Sequence, residues 1–312
     1  MQLFYWPSPH GNFGDDLNDW FWDDVLPGWR EWDDSVSLIG IGSLMTKNLK
    51  LLGGRKVVVG AGAGYGQPPE LGPDWDVRFV RGPRTAAALG LPASAGITDT
   101  AALCARLPRF AGLAGSGRRP LLVPHWMSDL HPTYDWPRTA AAAGIDYVSP
   151  RGDAAAVIGA IAAAPLVLAE SLHAAVIADA FRVPWRAVRS ELGSFNLFKW
   201  RDWTDSLEVP FEVTDLFAPL TRLRGLLPRS LQGREERAPL EPGTRRSDER
   251  PAAPRRTLRR RLMARVRVEV GARMIARALR QPAFLSAEPV LNDRLDRIEA
   301  ALRGLARDYG GA

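Results

Sequence analysis

The sequence predicts an α/β protein of two Rossmann-like lobes followed by a basic helical C-terminal tail. Three observations predict it. Short runs rich in Val, Ile and Leu alternate with alanine-rich helical runs over the first 220 residues, the rhythm of parallel βα units. The alternation breaks at a Gly/Arg/Pro stretch, residues 112–120, and then restarts. Beyond residue 220 both pattern and charge change. With 312 residues and 46% hydrophobic content, the chain has material for two buried cores.

The first lobe is assigned to residues 1–111. Met1-Gln2-Leu3-Phe4-Tyr5-Trp6 has neither a basic leader nor a long apolar run, so it reads as an opening strand and not as a signal peptide. Further strands are expected at residues 37–42, 56–60, 76–81 and 95–98. Residues 83–90 read as a helix, with proline at its start and glycine at its end. The second lobe is assigned to residues 112–220. Strands at 121–125, 145–148, 165–169 and 184–188 alternate there with helices at 138–144, 153–164 and 171–181, and Asp153 serves as a side-chain cap. Two doubly wound units in succession imply a cleft between them, with ligands at the carboxyl ends of the strands.

Residues 1–220 carry 19 Lys+Arg against 24 Asp+Glu, and residues 221–312 carry 22 against 11. The formal charge of +6 therefore joins a mildly acidic body to a strongly basic tail. Residues 231–256, rich in Pro, Gly, Arg and Glu, read as a flexible linker, assigned to 221–257. The tail, 258–312, opens with a basic amphipathic helix over 258–280. Leu291, Leu295, Ile298, Leu302 and Leu305 then form a helical seam, which either packs on the body or pairs two copies. The tail suits contact with an anionic membrane surface; a solubilising, partly disordered tail is the plainer alternative. Nucleic acid is not expected as a partner. The longest uncharged run, 154–169, is broken by Gly159 and Pro165 and falls short of the roughly 20 apolar residues a span needs. The single cysteine, Cys104, excludes an internal disulfide. A cytoplasmic protein is expected, peripheral on the inner face of the membrane if the tail docks there.

Four motifs carry chemistry. Gly11-Asn12-Phe13-Gly14-Asp15-Asp16-Leu17-Asn18 follows the first strand. Its glycines allow a tight turn and close ligand approach. Asp15 and Asp16 are placed either to act as base or sugar ligand, or to cap the next helix. Gly60-Ala61-Gly62-Ala63-Gly64-Tyr65-Gly66 reads as a cleft-lining loop, because Pro68-Pro69 and not a helix follow it. Arg78, Arg81 and Arg84 surround a strand end and a helix start, where arginine forks bind carboxylate or phosphate or else form surface ion pairs. Glu170-Ser171-Leu172-His173 closes a buried strand and opens a helix, which makes His173 either an acid–base group or a structural histidine. His10, His125 and His131 lack metal-ligand spacing, and no Gly-x-Ser-x-Gly elbow or Walker loop is present, so no metal site, hydrolase triad or P-loop is expected.

Taken in order, these motifs resemble the polysaccharide pyruvyl transferase family, in particular its short members from exopolysaccharide operons. The first loop, Val80-Arg81-Gly82-Pro83-Arg84-Thr85, Val123-Pro124-His125 and Glu170-Ser171-Leu172-His173-Ala174-Ala175 carry the likeness, with Val183-Pro184-Trp185 and Lys199-Trp200-Arg201-Asp202-Trp203 extending it to about residue 210. The resemblance implies a glycosyltransferase-B-like fold, phosphoenolpyruvate as donor, and as acceptor a sugar of a lipid-linked oligosaccharide or polysaccharide. No cofactor is implied. It implies His173 as the acid that protonates the donor's methylene carbon, with Asp15 and Asp16 as further catalytic groups. Asn12, Gly14, Arg81, Arg84, His125, Glu170, Ser171 and Lys199 are implied as substrate-binding. One position departs from the pattern: relatives place an arginine two residues before the histidine, and here Ser171 stands there, which leaves the donor's charge to Arg81, Arg84 or another cation such as Lys199. Two other readings stay open. One is a nucleotide-sugar glycosyltransferase on the same fold, with Glu170 on the ribose. The other is a non-enzymatic assembly protein of polysaccharide export.

Overall fold

The computed structural model describes residues 1–113, 115, 117–190, 195–217 and 258–311. In the first lobe, β1 (Gln2–Phe4), β2 (Val36–Ile39), β3 (Arg55–Val59) and β4 (Trp75–Phe79) form one parallel sheet in that order. Val57, Val58 and Val59 are all buried, as a parallel strand covered on both faces requires. Two short helices follow β1: α1 (Phe13–Asp16) and α2 (Phe21–Val25). α3 (Pro83–Ala88) follows β4 and has proline in its first turn. The strand expected at 95–98 is not formed. Its place is taken by a 3₁₀ turn, Ala93–Ala95, and a single parallel bridge between Val80 and Gly96. Gly96 presses on the turn into α3, where an added Cβ would lie 2.4 Å from the carbonyl carbon of Gly82; that contact leaves no room for a ladder.

The second lobe holds β5 (Leu121–Val123), β6 (Asp146–Tyr147), β7 (Val167–Ala169), β8 (Trp185–Arg189) and β9 (Val213–Asp215), all parallel, in the order β6-β5-β7-β8-β9. The connecting helices are α4 (Trp126–Leu130), α5 (Trp136–Ala143), α6 (Ala154–Ala163) and α7 (Leu172–Ala180). Asp153 caps α6 as expected, accepting from Ala156 N at 2.8 Å. The order is that of a doubly wound sheet, and its direction of winding reverses between β5 and β7. Both sheets are therefore Rossmann-like in their parallel pairing.

The lobes share one apolar core. Phe13, Trp22 and Leu103 of the first lobe belong to the same buried cluster as Ile158, Leu172 and Trp185 of the second. α8 (Leu197–Ser206) leaves the second sheet and packs on α3 of the first. There Asp202 accepts from Arg81 Nε at 3.0 Å, Thr85 N at 2.8 Å and Thr85 Oγ1 at 2.6 Å, and both Asp202 and Arg81 are buried. α9 (Leu258–Ala278) lies along α5, and α10 (Glu288–Tyr309) lies on β4 and the 3₁₀ turn Thr100–Arg106. The five seam residues of α10 are buried in the shared core. The seam thus packs on the body, the first of its two expected uses. The linker expected at 221–257 lies outside the described residues.

Candidate active site

A reversal in strand order leaves a crevice at the sheet's carboxyl edge. Here β5 runs into Pro124 and His125, and β7 runs into Glu170, Ser171 and the first turn of α7, which carries His173. One edge thus collects both histidines and Glu170. Residues 11–18 close on it from the first lobe. Phe13 N donates to Pro150 O at 2.8 Å, and the Phe13 ring stands edge-on to the His173 imidazole at 6.5 Å. Gly14 is required by this approach, because a Cβ there would lie 1.9 Å from His173 Nδ1.

The two aspartates of that loop divide their work. Asp16 Oδ2 accepts from Asn12 N at 2.8 Å and closes the turn from within. Asp15 Oδ2 accepts from Asn12 Nδ2 at 2.6 Å. Burial raises the Asp15 carboxyl above the usual range, while His173, Lys199 and the Asn12 amide oppose the rise. Asn18 lies underneath and is fully buried. It exchanges two hydrogen bonds of 3.0 Å with the backbone of Ile41, which fixes the loop after β2 next to Asp15.

His173 is the most unusual group in the crevice. Its side chain is 12% exposed, and Nε2 is buried without a hydrogen-bond partner. The nearest carboxylate is Asp99, with Oδ2 at 3.7 Å from Nε2. Burial lowers the His173 pKa; Asp99 and Asp15 act to raise it, and Lys199 and Arg81 to lower it. Burial is the largest of these influences and the net shift is downward, so Asp99 offsets only part of the cost of charging the ring. Asp99 was not legible as a site residue. Its one local signal is a cap: its side chain accepts from Ala101 N at 3.0 Å and starts the turn Thr100–Arg106. That turn packs against α7 and so carries Asp99 to the histidine.

Glu170 is buried and committed to backbone. Oε1 accepts from Ser190 N at 2.8 Å, and Oε2 accepts from His125 N at 2.9 Å and from the Ser128 hydroxyl. It joins the ends of β5, β7 and β8 below the crevice. Ser171 is buried at the helix entry and makes no side-chain cap. His125 caps α4 with Nδ1, which accepts from Met127 N at 3.3 Å. Burial, with Lys199 and His173 nearby, holds its pKa down at about 3, so this imidazole is neutral.

The three cations differ. Each guanidinium nitrogen of Arg81 donates within the protein, to Asp202, Ser43 Oγ and Ala63 O. Arg84 is half-exposed and pairs with Asp205 at 2.7 Å. Lys199 stands across the crevice with its ammonium 4.9 Å from the centre of the Tyr65 ring and 3.2 Å from the Tyr65 hydroxyl. It acts on Asp15, His125 and His173 together. Among the described residues no carboxylate lies within ion-pair distance of it. The glycine loop makes this arrangement fit: a Cβ on Gly62 would lie 2.2 Å from the Arg81 guanidinium carbon, and one on Gly64 2.6 Å from Lys199 Cγ. The loop lines the cleft, as its sequence predicts. The structure therefore brings Asp15, His125, His173 and Lys199 together with Asp99, and leaves Arg84 on the outer flank of α3.

No family profile matches the chain, and no solved structure matches it. Among curated proteins it is similar to the succinoglycan biosynthesis protein ExoV of Rhizobium meliloti (strain 1021), at 39% identity over 321 aligned positions that take in 99% of this chain and 100% of that protein.

Proposed function

Because the chain belongs to the polysaccharide pyruvyl transferase family, the family of ExoV, we propose that it moves pyruvate from phosphoenolpyruvate onto a sugar of a surface polysaccharide or its lipid-linked precursor, forming a ketal, on a glycosyltransferase-B-like fold. The observation that carries the reading is the buried, unpartnered His173 imidazole facing Asp99 at the strand-order reversal. Proton transfer to carbon needs a positioned acid. Asp99 orients the ring and favours a proton on the imidazole.

In this scheme His173 protonates the donor's methylene carbon and positive charge develops at C2. A sugar hydroxyl attacks C2, and the Asp15 carboxylate, made more basic by burial, takes its proton. A second hydroxyl then attacks C2 and returns a proton to His173 as the C2–O bond breaks; the phosphate leaves with that electron pair and takes the proton held by Asp15. Lys199 is the cation assigned to the donor's phosphate or carboxylate. Among the described residues it has no carboxylate to leave, whereas Arg81 and Arg84 hold Asp202 and Asp205. A bound dianion would neutralise Lys199 and so relieve one of the charges that lower the His173 pKa. Donor binding is expected to be accompanied by proton uptake.

The nucleotide-sugar reading needs Glu170 on a ribose, and that carboxylate already accepts three hydrogen bonds from the protein. Thermal stabilisation of the purified protein by phosphoenolpyruvate and by nucleotide sugars separates the two. Phosphoenolpyruvate is expected to raise the melting temperature of the wild type and to do so far less for Lys199→Met. Stabilisation by a nucleotide sugar alone would overturn the proposal.

A further inference from the structure

The side of α9 that faces the body carries Ala272, Ile275 and Ala278, all buried. The opposite side is uncovered. Leu262, Met263 and Val266 are 61%, 46% and 36% exposed, and Arg265, Arg273, Arg277 and Arg280 are exposed with them. At 3.6 residues per turn, Leu262, Val266, Glu269, Arg273 and Arg277 fall on one outward stripe of α9, with Met263 and Arg265 flanking it and Arg280 just past its end. Several arginines elsewhere on the surface hold carboxylates, as Arg30, Arg106, Arg109 and Arg294 do. Among the described residues Arg265, Arg273 and Arg277 of α9, and Arg280 just past its end, hold none.

The helix also has a fixed direction. The Arg267 guanidinium lies over Tyr134 and Phe217 at 5.9 and 6.0 Å, and Phe217 comes just after the carboxyl end of β9. Past the other end of α9, Phe284 pairs with Trp185, where β8 begins. α9 therefore runs against the strands. Its first half stands at the carboxyl edge of the second sheet, the edge that carries His125 and His173.

We infer that the outward stripe of α9 docks the protein on an anionic lipid bilayer, with Leu262, Met263 and Val266 entering the interface, the arginines meeting the headgroups, and the site-bearing edge turned to the membrane. No described helix is long and apolar enough to cross a membrane, so the contact is with the surface. Apolar side chains among cations favour a bilayer. A soluble polyanion would meet the arginines and leave three large apolar groups in water. The inference stands on exposure and charge, and does not depend on pyruvyl transfer.

Flotation of the full-length protein with vesicles of phosphatidylcholine, alone or mixed with phosphatidylglycerol, tests it. Binding is expected to the mixed vesicles only, and to weaken as salt rises. Replacing Arg265, Arg273, Arg277 and Arg280 by Gln should lower affinity about fivefold per residue. L262Q/M263Q/V266Q should lower it about tenfold or more, while heparin binding is kept. All seven positions are exposed, so melting temperatures should not move, and donor stabilisation, measured separately, should be unchanged. Failure to bind mixed vesicles at low salt, equal vesicle binding by the triple variant, or heparin binding without vesicle binding would each overturn the inference, the last by assigning the stripe to a soluble polyanion.

Discussion

Gly14→Ala is the smallest change that should disable the crevice. The new Cβ would lie 1.9 Å from His173 Nδ1 and 2.4 Å from Cγ, and real Cβ contacts do not go below about 3.0 Å. The imidazole must therefore withdraw by at least 1.1 Å, the difference between 1.9 and 3.0 Å. It has little room to do so, with Phe13 edge-on to it and Asp99 3.7 Å from Nε2. A misplacement of about 1 Å at a reacting group can cost about 10²-fold in rate. Overpacking costs about 1–3 kcal/mol of stability, which a protein this size tolerates. The assay is phosphate release from phosphoenolpyruvate in the presence of acceptor, with a melting curve on the same sample. Gly159→Ala is the control: nothing lies within 4 Å of its added methyl, and it sits inside α6. It should gain about 0.5–1 kcal/mol of stability at unchanged turnover. Near-normal turnover of a folded Gly14→Ala protein would refute the idea that His173 must stay where it is.

His173→Gln should keep the melting temperature and donor affinity while turnover falls about 10²–10⁴-fold; a stable variant with near-normal turnover rules His173 out as the acid. Asp99→Asn removes the charge that does most to raise the His173 pKa, so the pH optimum for turnover should move to lower pH, and an unmoved profile would remove Asp99 from the site. Asp202→Ala strands a buried guanidinium and should cost about 3–5 kcal/mol in chemical denaturation, whereas Arg84→Ala breaks only a half-exposed pair and should cost less than about 1 kcal/mol. His125 is neutral in the folded protein down to about pH 3. Unfolded, it takes up a proton below about pH 6.5, so its contribution to stability is present above that pH and is lost on acidification at up to about 1.4 kcal/mol per pH unit. His125→Asn keeps an acceptor for Met127 N and should flatten that acid slope between pH 6.5 and pH 4; an identical slope would count against a buried neutral His125.

The βα rhythm and most strands were legible because they rest on local patterning: Val57-Val58-Val59 or Leu121-Leu122-Val123 make strands in almost any parallel sheet. The strand expected at 95–98 failed for a tertiary reason, the packing of Gly96 on the turn into α3. His173 could be read from its position at a strand-to-helix junction. Its partners could not. Asp99 looks like a cap, and only the packing of its turn on α7 gives it a histidine. Arg81 looks like a free anion fork because its carboxylate, Asp202, lies 121 residues further along the chain. Glu170 shows the same limit, since a carboxylate at a strand end reads as a ligand until its three backbone and hydroxyl donors are in view.

The placement of α10 sets an order of events at the ribosome. The first lobe is made first, yet Leu291, Leu295, Ile298, Leu302 and Leu305 complete its core. Arg78 meets Asp308 at 2.6 Å, Arg106 meets Asp296 at 2.7 Å, and the Tyr309 hydroxyl donates to Asp76 at 2.9 Å. None of these partners exists until the second lobe has been made. The nascent first lobe must carry an uncovered apolar face through the synthesis of the whole second lobe, and contacts of such long sequence separation are the slow and aggregation-exposed ones. A stop codon before residue 288 would leave the crevice fully encoded and the first lobe without these contacts.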